Sequence, residues 1–222
     1  GLGRRGPGGG GRAGLCPPDT DLAHGYPLPG FTAPLSNQRT DDYGGDLEHR
    51  LRYPREVFDA MRAAWPADKP MTVRISATDW YAGGNEVDDA VAIARAFASH
   101  GADAIDVSTG QVTKDGMPAF GRSYQTPFSD RIRNDVGIPT IAVGVISSYD
   151  DVNSIVLAGR ADLFALARAH LYDPQWPLHA AADQGYDGPG ADWPVPFTAG
   201  TRKLSSGICD GPKPLLYTIS VG

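Results

Sequence analysis

The chain has 222 residues, of which 41% are hydrophobic and 21% charged, and a net charge of −6 with a pI near 5.3. One domain with enough apolar material for a sizeable core is the expectation, without the basic footprint that nucleic acid or an anionic membrane surface requires. No apolar run approaches the ~20 residues of a spanning helix. Cys16 and Cys209 make neither a metal spacing nor a disulfide framework, which points to a reducing, cytoplasmic setting.

In chain order, residues 1–22 are rich in Gly, Pro and Arg without a period, and the expectation is an irregular or artefactual segment. A long polar loop follows, with Asn37, Arg39, Asp41, Asp42, Tyr43, Gly44 and Gly45 before Arg50. A loop of that length is usually functional or disordered. Its charged residues are expected to brace it by ion pairs. Residues 47–64 carry Leu47, Leu51, Val57, Phe58 and Met61 near helical spacing. Pro54 in the interior should kink this helix or move its start. Residues 71–76 read as a buried strand. Residues 85–100 read as a helix capped by Asn85 and closed before Gly101. Residues 103–108 are the next strand. After a loop of Gly, Lys and Asp, Thr126–Val136 forms a helix with Pro127 in its first turn. Then come a strand at 139–143, a helix at 148–158, a strand at 162–167, and short helices near 168–172 and 176–184. Residues 187–222 read as an irregular tail. Strand and helix alternate, and the strands are continuous apolar runs, which indicates an α/β fold of parallel strands covered by helices.

The stretch from His24 to Arg62 carries a specific order of residues: H-G-Y, then A-P-L-S-N-Q-R-T-D-D-Y-G-G, then E-H-R. In this it resembles the old yellow enzyme family, FMN-dependent ene-reductases on a TIM barrel. The resemblance continues to about Pro194. The portion STGQVTKDGMPAFGRSYQTPFSDRIRNDVGIPTIAVG is similar to one branch, the oxidoreductase half of bifunctional salicylyl-CoA 5-hydroxylases. A closed barrel has eight strands and takes ~250 residues. The resemblance therefore implies a partial (β/α)₈ barrel at 23–186, strands five to eight with a stub of the fourth, and a chain that is a fragment. The family has an H-x-A-H-G-Y sequence at this place. Asp21 stands at its first histidine and His24 at its second.

A barrel places its site at the C-terminal ends of the strands. There the family's histidine, here His24, binds the substrate carbonyl, and its tyrosine, here Tyr26, donates a proton. A phenol keeps its proton at neutral pH, and a histidine N–H aimed at an oxygen gaining charge lowers the barrier. The plainer alternative is a surface histidine and a packing tyrosine. Arg74, inside an apolar strand, must meet something polar. It is either a structural ion pair with Asp106 or Asp79, or the family's cation beside the flavin N1 and C2 carbonyl. Ser108, Thr109 and Gly110 form a small-residue turn of the kind the family keeps close to the flavin. Gly144 and Arg168 follow the last two strands, where barrels frequently bind phosphate. The FMN phosphate is the expected ligand, with an ordinary helix-start arginine as the alternative. Ala167 replaces a glycine found in most members. Trp80, Tyr81 and Tyr124 are candidates for lining a substrate pocket.

The resemblance thus implies an FMN-dependent oxidoreductase, reduced by NADH or NADPH, that passes hydride to an activated carbon–carbon double bond of a small molecule. The branch implies an aromatic acyl-CoA. The expected partners are the absent N-terminal half of the barrel or a monooxygenase domain. The competing expectation is a non-catalytic remnant unable to hold FMN. A barrel isomerase or aldolase would need a lysine or carboxylate pair at strand ends, which the sequence does not offer.

Overall fold

The computed structural model describes residues 18–24 and 28–198. Five parallel strands lie side by side in sequence order: β1 Asp19–Leu22, β2 Thr72–Ser76, β3 Ala104–Ser108, β4 Thr140–Val143 and β5 Leu163–Ala165. Helices make each crossover. They are α1 Pro29–Thr32 and α2 Leu47–Ala64, then α3 Val87–Ser99, α4 Thr126–Val136 and α5 Tyr149–Leu157. Neighbouring strands joined through helices without any change of order are the wiring of a (β/α) barrel wall. Among the described residues no further strand pairs with the outer side of β1 or β5, so the fold is a partial barrel.

The two faces of the sheet differ because side chains alternate along a strand. Leu22, Val73, Ile75, Ile105 and Val107 point to one face and form the core with Leu51 and Phe58 of α2, Ile93 and Phe97 of α3, and Ile132 of α4. Phe58 and Phe97 meet edge to face at 5.4 Å. Burial of each such side chain contributes roughly 1.5–3 kcal/mol. The opposite face carries the intervening residues. The register sets Asp21 beside Arg74 and Arg74 beside Asp106, and farther along it sets Ile141 beside Leu163. Leu163 is 54% exposed. In a barrel this second face is the interior.

The chain divides into two compact units, Gly1–Ile146 with Asp150–Ala165, and Ser147–Tyr149 with Leu166–Gly222. The second unit holds α6 Arg168–Tyr172, α7 Trp176–Asp183 and a 3₁₀ turn at Val195–Phe197. Within it the Trp176 indole donates to the Ser147 carbonyl at 3.0 Å. His179 pairs with Asp173 at 2.6 Å, which holds the Asp173 carboxyl below its usual range.

Three sequence expectations are answered here. Asp19–Leu22, the end of the segment expected to be irregular, is the strand stub that the resemblance implied before His24: Leu22 joins the core and the backbone pairs with β2; residues 1–17 lie outside the described set. Pro54 does not move the start of α2, which runs from Leu47 through it with that ring buried. Asn85 is not the cap of α3. Glu86 is, and its backbone N–H donates to Asp89 Oδ2 at 2.9 Å. Of the tail expected from residue 187, the described part holds only the short 3₁₀ turn, and residues beyond 198 lie outside the described set.

Candidate active site

The strand ends lie along one edge of the parallel sheet, and the residues that follow them build the candidate site. His24 follows β1 with φ +62. It is half-buried, and no described residue hydrogen-bonds its ring. Burial, and then the charge of Arg74, push its pKa below the usual histidine value. The imidazole is therefore neutral at pH 7, with one N–H to give. It lines a cleft of about 440 Å³ with Gln111, Val112, Thr113 and Lys114 from the loop after β3. The fold thus brings His24 and that loop together across the end of β2. Tyr26 lies outside the described residues.

Arg74 sits on the sheet face opposite the helices. Its Nε lies 3.6 Å from Asp106 Oδ2 and 3.5 Å from Ser108 Oγ. Among the described residues nothing accepts from Nη1 or Nη2, and the side chain is 29% exposed. Of the two carboxylates weighed as its partner, Asp106 is the one. Asp79 is wholly buried and instead accepts the Asn85 backbone N–H at 2.7 Å. Asp106 is a neighbour with a strained charge state. Burial raises its pKa to about 6, against the opposing pull of Arg74. Its Oδ1 is buried with no partner among the described residues.

The turn after β3 is tied into the sheet. Ser108 Oγ donates to the Ile75 carbonyl at 3.2 Å, and Ser76 Oγ donates to the Gly110 carbonyl at 3.0 Å. Gln125, which the sequence reading passed over, joins two strand ends. Its amide oxygen accepts from Thr109 Oγ1 at 2.7 Å, and its Nε2 donates to the Val143 carbonyl at 3.1 Å. Gly144 adopts φ +103, and a Cβ there would collide with the Gln125 side chain. Its glycine therefore has a reason inside the protein, independent of any phosphate. In the second unit, Ala167 precedes α6 and Arg168 is its first residue. Both are exposed.

The other aromatic candidates lie as follows: Trp80 packs edge to face on Phe128 at 5.6 Å, Tyr124 packs tilted on Phe120 at 5.3 Å, and Tyr81 is exposed. The long loop braces itself, though only partly by ion pairs. Arg39 pairs with Asp41, and Arg52 with Asp42 at 3.3 Å. Arg50 is buried and acts through carbonyls instead, donating to Thr32 at 3.0 Å and Gly45 at 2.6 Å. The Asn37 amide donates to the carbonyls of Phe31 at 2.8 Å and Tyr43 at 2.7 Å.

Residues 21–185 match the family described as NADH:flavin oxidoreductase / NADH oxidase. The chain belongs to this family. An NADPH dehydrogenase of Geobacillus thermodenitrificans is 40% identical over 86% of the chain and 54% of its own length. One from Bacillus licheniformis is 45% identical over 72% of the chain and 46% of its own length. The chain thus spans about half the length of these relatives. Among solved structures, a 2-naphthoyl-CoA reductase superposes with TM-score 0.71 at 23% identity, over 79% of the chain and 27% of its own. Morphinone reductase superposes with TM-score 0.60 at 22% identity, over 86% and 48%. At those identities the likeness is one of fold. FMN and NAD(P)H are the cofactors of this NADH:flavin oxidoreductase family. No helix among the described residues is long and apolar enough to cross a membrane, and no described cluster of His, Cys, Asp and Glu could hold a metal.

Proposed function

We propose that the chain is the flavin-facing part of an FMN-dependent NAD(P)H oxidoreductase that reduces an activated carbon–carbon double bond. The observation that carries this reading is Arg74. It is a cation on the barrel-interior face, held at Nε from one side, with both Nη groups available for a ligand at the strand ends. An arginine so placed fits the electron-rich pyrimidine edge of a flavin. The small Ser108–Gly110 turn beside it leaves backbone close at hand. When bound, FMN supplies the hydride chemistry. The protein's share is binding, orientation and proton delivery. Neutral His24 offers a donor to a carbonyl oxygen in the cleft it lines. Tyr26 is the assigned proton donor by its place in the H-G-Y sequence. Gly144, Ala167 and Arg168 are assigned to the phosphate on the sequence resemblance. Similarity to the salicylyl-CoA 5-hydroxylase branch extends the substrate class to an aromatic acyl-CoA, with the other half of the barrel or a monooxygenase domain as partner. Asp21 departs from the family pattern. Its Oδ1 accepts the Ala23 N–H at 2.9 Å, a local turn in place of a second histidine donor.

A second reading, a remnant that does not hold FMN, is favoured by the partial barrel, in which no described strand flanks β1 or β5. Titration of the protein with FMN, followed by anaerobic addition of NADPH, separates the two. Saturable quenching of flavin fluorescence and bleaching of the bound flavin support the oxidoreductase. Protein that is colourless once separated from excess FMN, with no quenching in the titration, supports the remnant.

A further inference from the structure

The barrel-interior face holds an unusual set of charges. Asp19 and Asp21 come from β1, Arg74 from β2 and Asp106 from β3, while the matching residues of β4 are the apolar Ile141 and Val143. Thr72 Oγ1 donates to Asp19 Oδ1 at 2.8 Å, and Asp21 Oδ1 accepts from the Ala23 N–H, so both carboxylates of β1 have local donors. Asp106 differs. Its side chain is only 8% exposed and touches Arg74 through one oxygen, while the other oxygen is buried without a donor among the described residues. A structural ion pair minimises its cost by satisfying every lone pair. Among the described residues, this one leaves an acceptor without a donor on one partner and two donors without acceptors on the other.

We infer that Asp106 acts through Arg74 as its counter-charge, lying against Nε beside Ser108 Oγ, so that both Nη groups are left for the flavin and the positive charge the flavin meets is trimmed. The inference rests on the flavin reading. The Nε–H goes to Ser108 Oγ at 3.5 Å, so the carboxylate, 3.6 Å from Nε, acts by its charge. It offsets one positive charge's worth of field at the site, but only while it is ionised. Asp106 takes up a proton near pH 6, so the trimming is present at neutral pH and absent in mild acid. The other groups facing Arg74 are Asp19, Asp21 and His24. Asp19 is held by Thr72, and burial pushes His24 towards neutrality.

Two measurements test this on the intact chain. The first uses FMN-free protein: the Asp106 carboxyl carbon signal by NMR between about pH 4.5 and 8, in wild type and Arg74→Ala. The expected result is a titration midpoint near pH 6 in wild type and a higher one in Arg74→Ala, which lacks the cation that favours the carboxylate. A midpoint indifferent to Arg74→Ala overturns the inference whether or not the protein binds flavin. The second is the reduction potential of bound FMN in wild type and Asp106→Asn. The potential of Asp106→Asn is expected to be less negative at pH 7.5, and the two proteins are expected to converge at pH 5. Equal potentials at pH 7.5, or an offset that persists at pH 5, contradict the inference. A purely structural aspartate would shift stability in the variants without this convergence. If neither protein binds FMN, the oxidoreductase reading fails and the NMR result still decides the role of Asp106.

Discussion

Two polar regions of this protein have similar composition and opposite character. The loop from Leu28 to Asp46 is dense in arginine, carboxylate and amide, and its buried members spend those groups on the chain itself. Asn37 gives both amide protons to loop carbonyls. Arg50 crosses from α2 to the carbonyls of Thr32 and Gly45 and to Asn85 Oδ1 at 3.5 Å. The strand-end face does the reverse. Among the described residues, Arg74 keeps two donors without acceptors, Asp106 keeps a buried acceptor without a donor, and the His24 ring has no hydrogen-bond partner. Satisfied polar groups hold a fold, whereas spare ones, kept at a cost in a half-buried setting, await a ligand. Charge density by itself does not distinguish the two.

The contrast is broken most forcefully at Arg50. Arg50→Met strips the Gly45 carbonyl of this donor, leaves the Thr32 carbonyl only the Asn85 amide at 3.4 Å and removes the partner of Asn85 Oδ1, and about 3 kcal/mol of stability is expected to go. The urea midpoint measures this. An unchanged midpoint would place the loop among the spare groups.

Asp106→Asn comes next, through pH. The folded pKa lies near 6, above the ordinary 3.8, so the folded chain binds this proton more tightly than the unfolded one. Stability from this group is therefore full below about pH 4, falls as pH rises to about 6, and is level above that. The span is on the order of 2–3 kcal/mol for a shift of about two pK units. Asn cannot ionise, so the difference between the two stability profiles should show this slope. Asp19 and Asp79 are also raised by burial and add the same sign of slope to both proteins.

At Gly144, φ +103 and the Gln125 side chain both oppose a Cβ. Gly144→Ala is expected to lose about 2 kcal/mol of stability, read by thermal unfolding without flavin. Loss of flavin affinity at full stability would instead make this glycine a ligand contact. The smallest effect belongs to Arg39→Ala. Its pair with Asp41 is half exposed on both sides, and such pairs contribute little. No measurable change in the urea midpoint is expected.

Much of the fold was legible because the periodic signals are strong. The helix at Thr126–Val136 has Pro127 in its first turn and was read with its observed limits. The alternation of strand and helix led to the parallel sheet. The misreadings have local physical causes. Four residues, Asp19–Leu22, carry too little pattern of their own to mark a strand; the stub was expected from the resemblance alone, and it pairs with β2. Asn85 looks like a cap but is buried beneath Arg50, and Glu86 takes the end of the helix. At the site, Arg74 announced itself as a charge in an apolar strand. Which carboxylate it meets depends on register, because Asp79 and Asp106 are equally plausible on paper. Gln125 and the loop Gln111–Lys114 carried no readable signal. Their roles come from which strand ends the sheet sets side by side, and from a positive φ at Gln111 that a non-glycine residue does not advertise.

The central claim is that the spare donors of Arg74 face a flavin. Equilibrium titration of FMN into wild type and Arg74→Ala, followed by flavin fluorescence at pH 7.5, tests it most directly. The account predicts saturable binding by wild type and affinity at least tenfold weaker in Arg74→Ala, a loss of about 1.4 kcal/mol or more, with little change in the urea midpoint. Equal FMN affinity in the two proteins would contradict it.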